Sequence, residues 1–162
     1  MAHVLAERFA NAEIQEFSPY GYDERQFCSP GFNLPVGLLQ RSQYGTFPEY
    51  HTSADNLDFI RPEHLEQSLG LIVDAIDIIE SDCTPRNLNP KCEPQLGRRG
   101  LYGSIGGDKD AAAKNMAMLW VLNLADGRHT LLDIAERASL PFALVRETAA
   151  RLVEHGLVVP EG

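Results

Sequence analysis

The chain has 162 residues, is 44% hydrophobic and carries a net charge of -9. That length suits one medium domain, or part of a domain with a small module, and the aliphatic content suits packed cores rather than disorder. No run approaches the roughly 18 apolar residues that span a bilayer, charges interrupt the N-terminal stretch where a secretory signal would be apolar, and the acidic balance repels polyphosphates.

Val4 to Ala10 has the apolar spacing of a helix, and Glu13-Ile14-Gln15-Glu16-Phe17 alternates as a strand does. Ser18-Pro19-Tyr20-Gly21-Tyr22 and Cys28-Ser29-Pro30-Gly31 are turn chemistry, which puts the charged cluster Asp23-Glu24-Arg25 on a loop. Asn33 to Leu39 reads as a short buried strand that Pro35 and Gly37 restrict to an edge, an end or a bulge. Residues 41 to 58 form a polar loop holding Tyr50-His51-Thr52-Ser53-Ala54-Asp55-Asn56. Pro62 then opens a helix in which Leu65, Leu69, Ile72, Val73, Ile76 and Ile79 recur at three- and four-residue steps.

From Cys83 to Gly107 the sequence is rich in Pro, Gly, Asn and Arg without periodicity, which predicts an irregular connector containing the domain boundary. A helix over 111 to 125 stops at Asp126-Gly127, Thr130 can cap a second over Leu131 to Ala138, and Ser139 a third from about Pro141 to His155. Gly156 ends that helix and Leu157-Val158-Val159 reads as a strand, so the last fifty or so residues have the plan of a winged helix-turn-helix. Cys28, Cys83 and Cys92 have no CxxC spacing and read as reduced thiols, so a cytoplasmic protein without a membrane anchor is expected.

On the residues alone, His51 is a lone histidine in a polar loop and Asp23-Glu24-Arg25 is a solvated turn; neither supports an enzyme. There is no glycine-rich phosphate loop, no HExxH and no GxSxG. Three longer stretches carry more information: Ser18 to Gly37, Glu49 to Leu57, and Gly97-Arg98-Arg99-Gly100-Leu101-Tyr102. With them the chain resembles the aminopeptidase-like proteins related to co-catalytic zinc aminopeptidases, a family associated with polysaccharide biosynthesis, whose members also carry a C-terminal winged helix.

The resemblance implies an α/β fold class: the C-terminal part of a zinc-aminopeptidase-like α/β domain over 1 to 107, with its connector at about 83 to 107, then a winged-helix domain over 108 to 162. It makes His51, in His51-Thr52-Ser53-Ala54-Asp55, a metal ligand, with Asp23, Glu24, Arg25 and Asp55 binding substrate or supporting the ligand from behind. Zinc is the implied cofactor of the complete enzyme, and a peptide-like or aminoacyl compound its substrate. The other ligands, the bridging carboxylate and the general base belong to a segment the family carries before the part seen here. This chain alone is therefore expected to bind no zinc tightly and to be an inactive fragment of the hydrolase.

Between 108 and 162 six Lys or Arg face eight Asp or Glu, a net charge of -2, which argues against nucleic acid as the partner. Contact with another protein, with a second copy or with a missing N-terminal half remains. The alternative function is a non-catalytic interaction or regulatory module built on the winged helix.

Overall fold

The computed structural model describes residues 1–102 and 111–161. In chain order its elements are α1 (Ala2–Arg8), α2 (Glu24–Phe27), α3 (Pro62–Ser81), β1 (Thr84–Asn87), a 3-10 turn (Gly97–Arg99), α4 (Ala111–Leu124), α5 (Leu131–Ala138), α6 (Phe142–Glu154) and β2 (Val158–Glu161). The described residues are thus helix-rich with one small sheet, and they divide into two compact units, Met1–Val73 and Asp74–Gly162. The start of a separate domain at 108 lies outside the described residues.

The second unit is built on three helices whose apolar positions meet. Met118 and Val121 of α4, Leu131, Ile134 and Ala135 of α5, and Val145, Ala149 and Leu152 of α6 are all buried, with Leu157 and Val158 beneath them. Sealing a leucine such as Leu152 contributes about 1.5 to 3 kcal/mol, so a handful of such residues holds the three helices together. Met116 and Leu119 of the same helix are exposed, because α4 turns Ala117, Met118 and Val121 inward.

The N-terminus of α5 has a partner for each of its first amides. Thr130 accepts from the Asp133 amide and Asp133 accepts from the Thr130 amide, a reciprocal capping box. The Leu131 amide donates to the Cys83 carbonyl and the Leu132 amide to the Asp82 carboxylate at 3.0 Å. Ser139, expected to cap α6, instead ends α5 in the left-handed conformation at φ 52, and α6 starts from Pro141 with no side-chain cap.

Residues 83 to 107 were expected to be irregular, yet they contain β1, which pairs antiparallel with β2 from Thr84 opposite Glu161 to Asn87 opposite Val158. Pro85 faces Pro160 in this ladder, so it is short, and Thr-Pro-Arg-Asn has no strand signature of its own. Arg86 grips Glu161 with two nitrogens at 2.5 and 2.7 Å, and this pairing holds the Glu161 carboxyl below its usual range. Gly127, at φ 77, lies under that guanidinium: a Cβ there would stand 2.8 Å from the Arg86 nitrogen.

The first unit has no ladder among its described residues. Glu13 to Phe17 and Asn33 to Leu39, both expected as strands, are unpaired, with Ile14, Phe17, Leu34, Val36 and Leu38 exposed. A strand needs a neighbour for its amides and carbonyls, and no described strand runs beside either segment. Local bonds serve the second segment: the Leu34 amide donates to the Phe27 carbonyl, and the Cys28 thiol donates to the Leu34 carbonyl.

Helix α3 begins at Pro62 as its sequence predicts, but its apolar stripe is not the face it buries. Leu71, Ala75 and Ile78 are buried, whereas Leu65, Leu69, Ile72, Val73, Ile76 and Ile79 are all exposed. The helix therefore has two apolar faces.

Candidate functional site

The loop from Glu49 to Asp58 closes on itself through one hydroxyl. Thr52 donates to the Glu49 carbonyl at 2.8 Å and accepts from the Ala54 amide at 3.2 Å, while the Asp55 amide donates to the Thr52 carbonyl. This folds His51-Thr52-Ser53-Ala54-Asp55 into a tight turn with His51 and Asp55 both exposed. His51 has φ 58, the left-handed region that few side chains other than Asn, Asp and His enter. Its imidazole lies on the Tyr50 ring, with centroids 4.0 Å apart and planes 14° from parallel.

An aromatic wall continues from that pair. Phe47 packs edge-on against Tyr50 and stacks on Phe59, and Tyr44 lies within aromatic contact of Tyr20, Tyr22 and Tyr50. The Tyr22 and Tyr50 hydroxyls share a short hydrogen bond. That bond, then burial and the neighbouring phenols, pushes the Tyr50 hydroxyl up to about 12.

The Tyr22 to Tyr50 bond joins the two loops singled out in the sequence, since Tyr22 immediately precedes Asp23-Glu24-Arg25. Glu24 accepts the Tyr22 amide at 2.9 Å and so braces the tyrosine. A Cβ on Gly21 would lie 1.7 Å from the same carboxylate oxygen, which keeps that turn narrow. Asp23 sits at the start of α2 without a capping bond, and Arg25 is exposed on α2. His51 lies on a loop, as its polar surroundings predict, in a unit without a described strand.

Sequence reasoning missed Tyr20, Tyr22 and Tyr44. The available signal was clustering: four of the five tyrosines fall between residues 20 and 50.

Among the described residues no three His, Cys, Asp or Glu side chains come together to hold a metal ion. A zinc site needs at least three protein ligands, so His51 with Asp55 does not by itself fit the ion. What these residues offer is an exposed imidazole of fixed orientation against an aromatic surface, joined through Tyr22 to a cluster that was expected on a loop but forms the start of helix α2, with Asp23 at its N-cap and Glu24 and Arg25 in its first turn.

In the other unit, α6 carries Arg146, Glu147, Arg151 and Glu154. Arg146 donates to Asp77 at 2.7 Å and to the Ser81 hydroxyl at 3.0 Å, and lies over the Phe142 ring. Glu147, Ala150, Val153 and Glu154 are exposed. The face of the helix that would enter a DNA groove thus carries two exposed carboxylates and exposed apolar side chains, with the half-buried Arg151 between them.

The sequence profile of the domain of unknown function DUF4910 matches residues 1–82, and a winged helix-turn-helix profile matches residues 83–160. The chain is 50% identical over 139 residues to a Clostridium acetobutylicum protein named for polysaccharide biosynthesis and an aminopeptidase-like domain; the match takes in 86% of this chain and 32% of that protein. A crystal structure of a Clostridium acetobutylicum protein named as a peptidase superimposes with a TM-score of 0.84 at 42% identity, over 99% of this chain and 35% of that one. The chain spans about a third of the length of the relatives it matches. No described helix is long and apolar enough to cross a membrane.

Proposed function

The chain belongs to the family of the domain of unknown function DUF4910, and on that footing we propose that it serves as the C-terminal part of an aminopeptidase-like hydrolase. In this reading His51 is a zinc ligand of the complete active site, acting on a peptide-like or aminoacyl substrate. The remaining ligands and the general base come from polypeptide corresponding to the rest of the longer relatives. The observation that carries the reading is the preset imidazole: His51 stands in a left-handed turn, stacked on Tyr50 and joined through Tyr22 to Asp23, Glu24 and Arg25 at the start of α2. Such backbone conformations persist where surrounding structure enforces them, and they gather at functional sites.

In the proposal Tyr50 orients the ring of His51, Tyr22 and Glu24 brace Tyr50, and Arg25, exposed on α2, offers a positive charge suited to a substrate carboxylate. Because the residues present do not fit zinc alone, no reaction step is assigned to this chain. The winged helix is proposed as a packing module rather than a DNA reader, since α6 exposes Glu147 and Glu154 and ties Arg146 to Asp77.

The test uses a chimera in which this chain replaces the matched third of the Clostridium acetobutylicum relative. With zinc, the lone chain should release no chromophore from aminoacyl p-nitroanilides, whereas the chimera should turn over and lose at least about 100-fold in kcat/KM on His51→Ala. Turnover in the chimera that is indifferent to His51→Ala would remove the active-site role. Zinc-dependent turnover by the lone chain would overturn its dependence on the missing segment.

A further inference from the structure

Gly97 to Tyr102 is one of the three stretches that carry the family resemblance, and the hydrolase reading gives it no role. Its 3-10 turn borders an open cleft of about 400 Å³ in the second unit, lined by Asn89, Glu93, Pro94, Gln95, Arg98 and Arg99. That volume lies in the range of small-molecule sites, but most such sites are apolar and here only Pro94 lacks a polar side chain. The turn that presents the arginines is anchored on both sides. Leu96 and Leu101 are fully buried, and the Leu96 carbonyl accepts the Arg99 amide at 3.1 Å and the Leu101 amide at 3.0 Å. A backbone held in this way spares a ligand part of the cost of ordering its site.

Charge indicates the kind of ligand. From Leu88 to Tyr102 three cations, Lys91, Arg98 and Arg99, stand against the one carboxylate of Glu93, in a chain whose net charge is -9. Glu93 accepts the Tyr102 hydroxyl at 2.8 Å, and among the described residues neither Arg98 nor Arg99 has a hydrogen bond or ion pair. In a chain with 23 acidic residues, two neighbouring guanidiniums without a carboxylate keep their donors for something that binds. Phosphate fits them best: it carries close to two negative charges at neutral pH and takes paired N–H bonds from a guanidinium fork. The amides of Asn89 and Gln95 suit hydroxyls, and the cleft has room for more than a bare phosphate.

We propose that the cleft beside the Gly97–Arg99 turn binds a small hydroxylated phosphomonoester, with Arg98 and Arg99 on the phosphate and Asn89 and Gln95 on the hydroxyls. The proposal stands apart from the hydrolase reading, since it uses no residue of the His51 loop and no reaction step.

Isothermal calorimetry of the chain with glucose 6-phosphate, inorganic phosphate, glucuronate and glucose tests this. Glucose 6-phosphate should bind with a Kd below about 1 mM and more tightly than inorganic phosphate, while glucose should give no binding heat. The affinity should fall at least about threefold from about pH 7 to about pH 5, because the phosphate loses its second charge while the guanidiniums stay ionised. Arg98→Gln with Arg99→Gln should weaken binding at least about tenfold with an unchanged circular dichroism spectrum, since both side chains are exposed. Arg98→Lys with Arg99→Lys keeps the charge without the fork and should also weaken it, which preserves the test if the glutamines disturb the fold. Arg137→Gln removes an exposed cation of α5 and should leave the affinity as it was. Unchanged affinity in both double variants, or an equal loss in Arg137→Gln, overturns the proposal. Glucuronate bound as tightly as glucose 6-phosphate overturns the choice of phosphate. A chimera that no longer binds glucose 6-phosphate also overturns it, since the cleft would then be filled by the rest of the longer fold.

Discussion

Tyr50 is held between an imidazole on its face and a phenol at its hydroxyl, and its acidity records the second of these contacts. The raised value near 12 means that the folded state favours the neutral phenol. The associated stability is present below the ordinary tyrosine pKa of about 10 and is lost as pH rises through about 12. Tyr22→Phe removes the hydroxyl partner and most of the effect, so an ultraviolet titration of phenolate absorbance should show one group moving down toward about 10. An unchanged titration would mean that Tyr22 does not set it. His51 was singled out in the sequence only through the family resemblance of the stretch His51 to Asp55, because an imidazole in a polar loop has no period to betray it. Tyr22 and Tyr44 left only the clustering of tyrosines between 20 and 50 as a signal, which names no contact. Their importance comes from loop segments some twenty-eight residues apart meeting side by side, which no local spacing encodes.

Among the elements, helices announced themselves where capping chemistry and apolar period agreed. Thr130 with Asp133 placed the start of α5, and Pro62 placed that of α3. Thr130→Ala should therefore lower stability by about 1 kcal/mol in urea unfolding, the usual cost of a lost capping side chain. A loss within error would show that Asp82 and the Cys83 carbonyl suffice to satisfy that helix end. The strand read at Leu157 to Val159 matches β2, but elsewhere strands were read poorly in both directions, for one reason. Glu13 to Phe17 has the alternation but no described neighbour, and Thr84 to Asn87 lacks the alternation but has a partner at Val158 to Glu161. Pairing decides a strand, and pairing is not local. The period of α3 likewise gave the helix correctly without telling which of its two apolar faces would be buried.

For the molecule as a whole, charge has a direct consequence. The net charge of -9 and the exposed carboxylates of α6 leave few cations to displace counterions from DNA. Fluorescence anisotropy against random duplex DNA should show no binding tighter than about 10⁻⁴ M at physiological salt, the weak end of non-specific affinity. Micromolar binding that weakens steeply with salt and disappears in Arg146→Ala with Arg151→Ala would restore a regulatory DNA role. The ladder between β1 and β2 matters at this scale too. Thr84 stands opposite Glu161, so the segment from β1 to β2 that carries the three helices has its two ends side by side. A module whose entrance and exit coincide behaves as a cassette: it can be spliced into a host loop, or have its ends stitched together and be reopened at another turn, without stretching the host backbone.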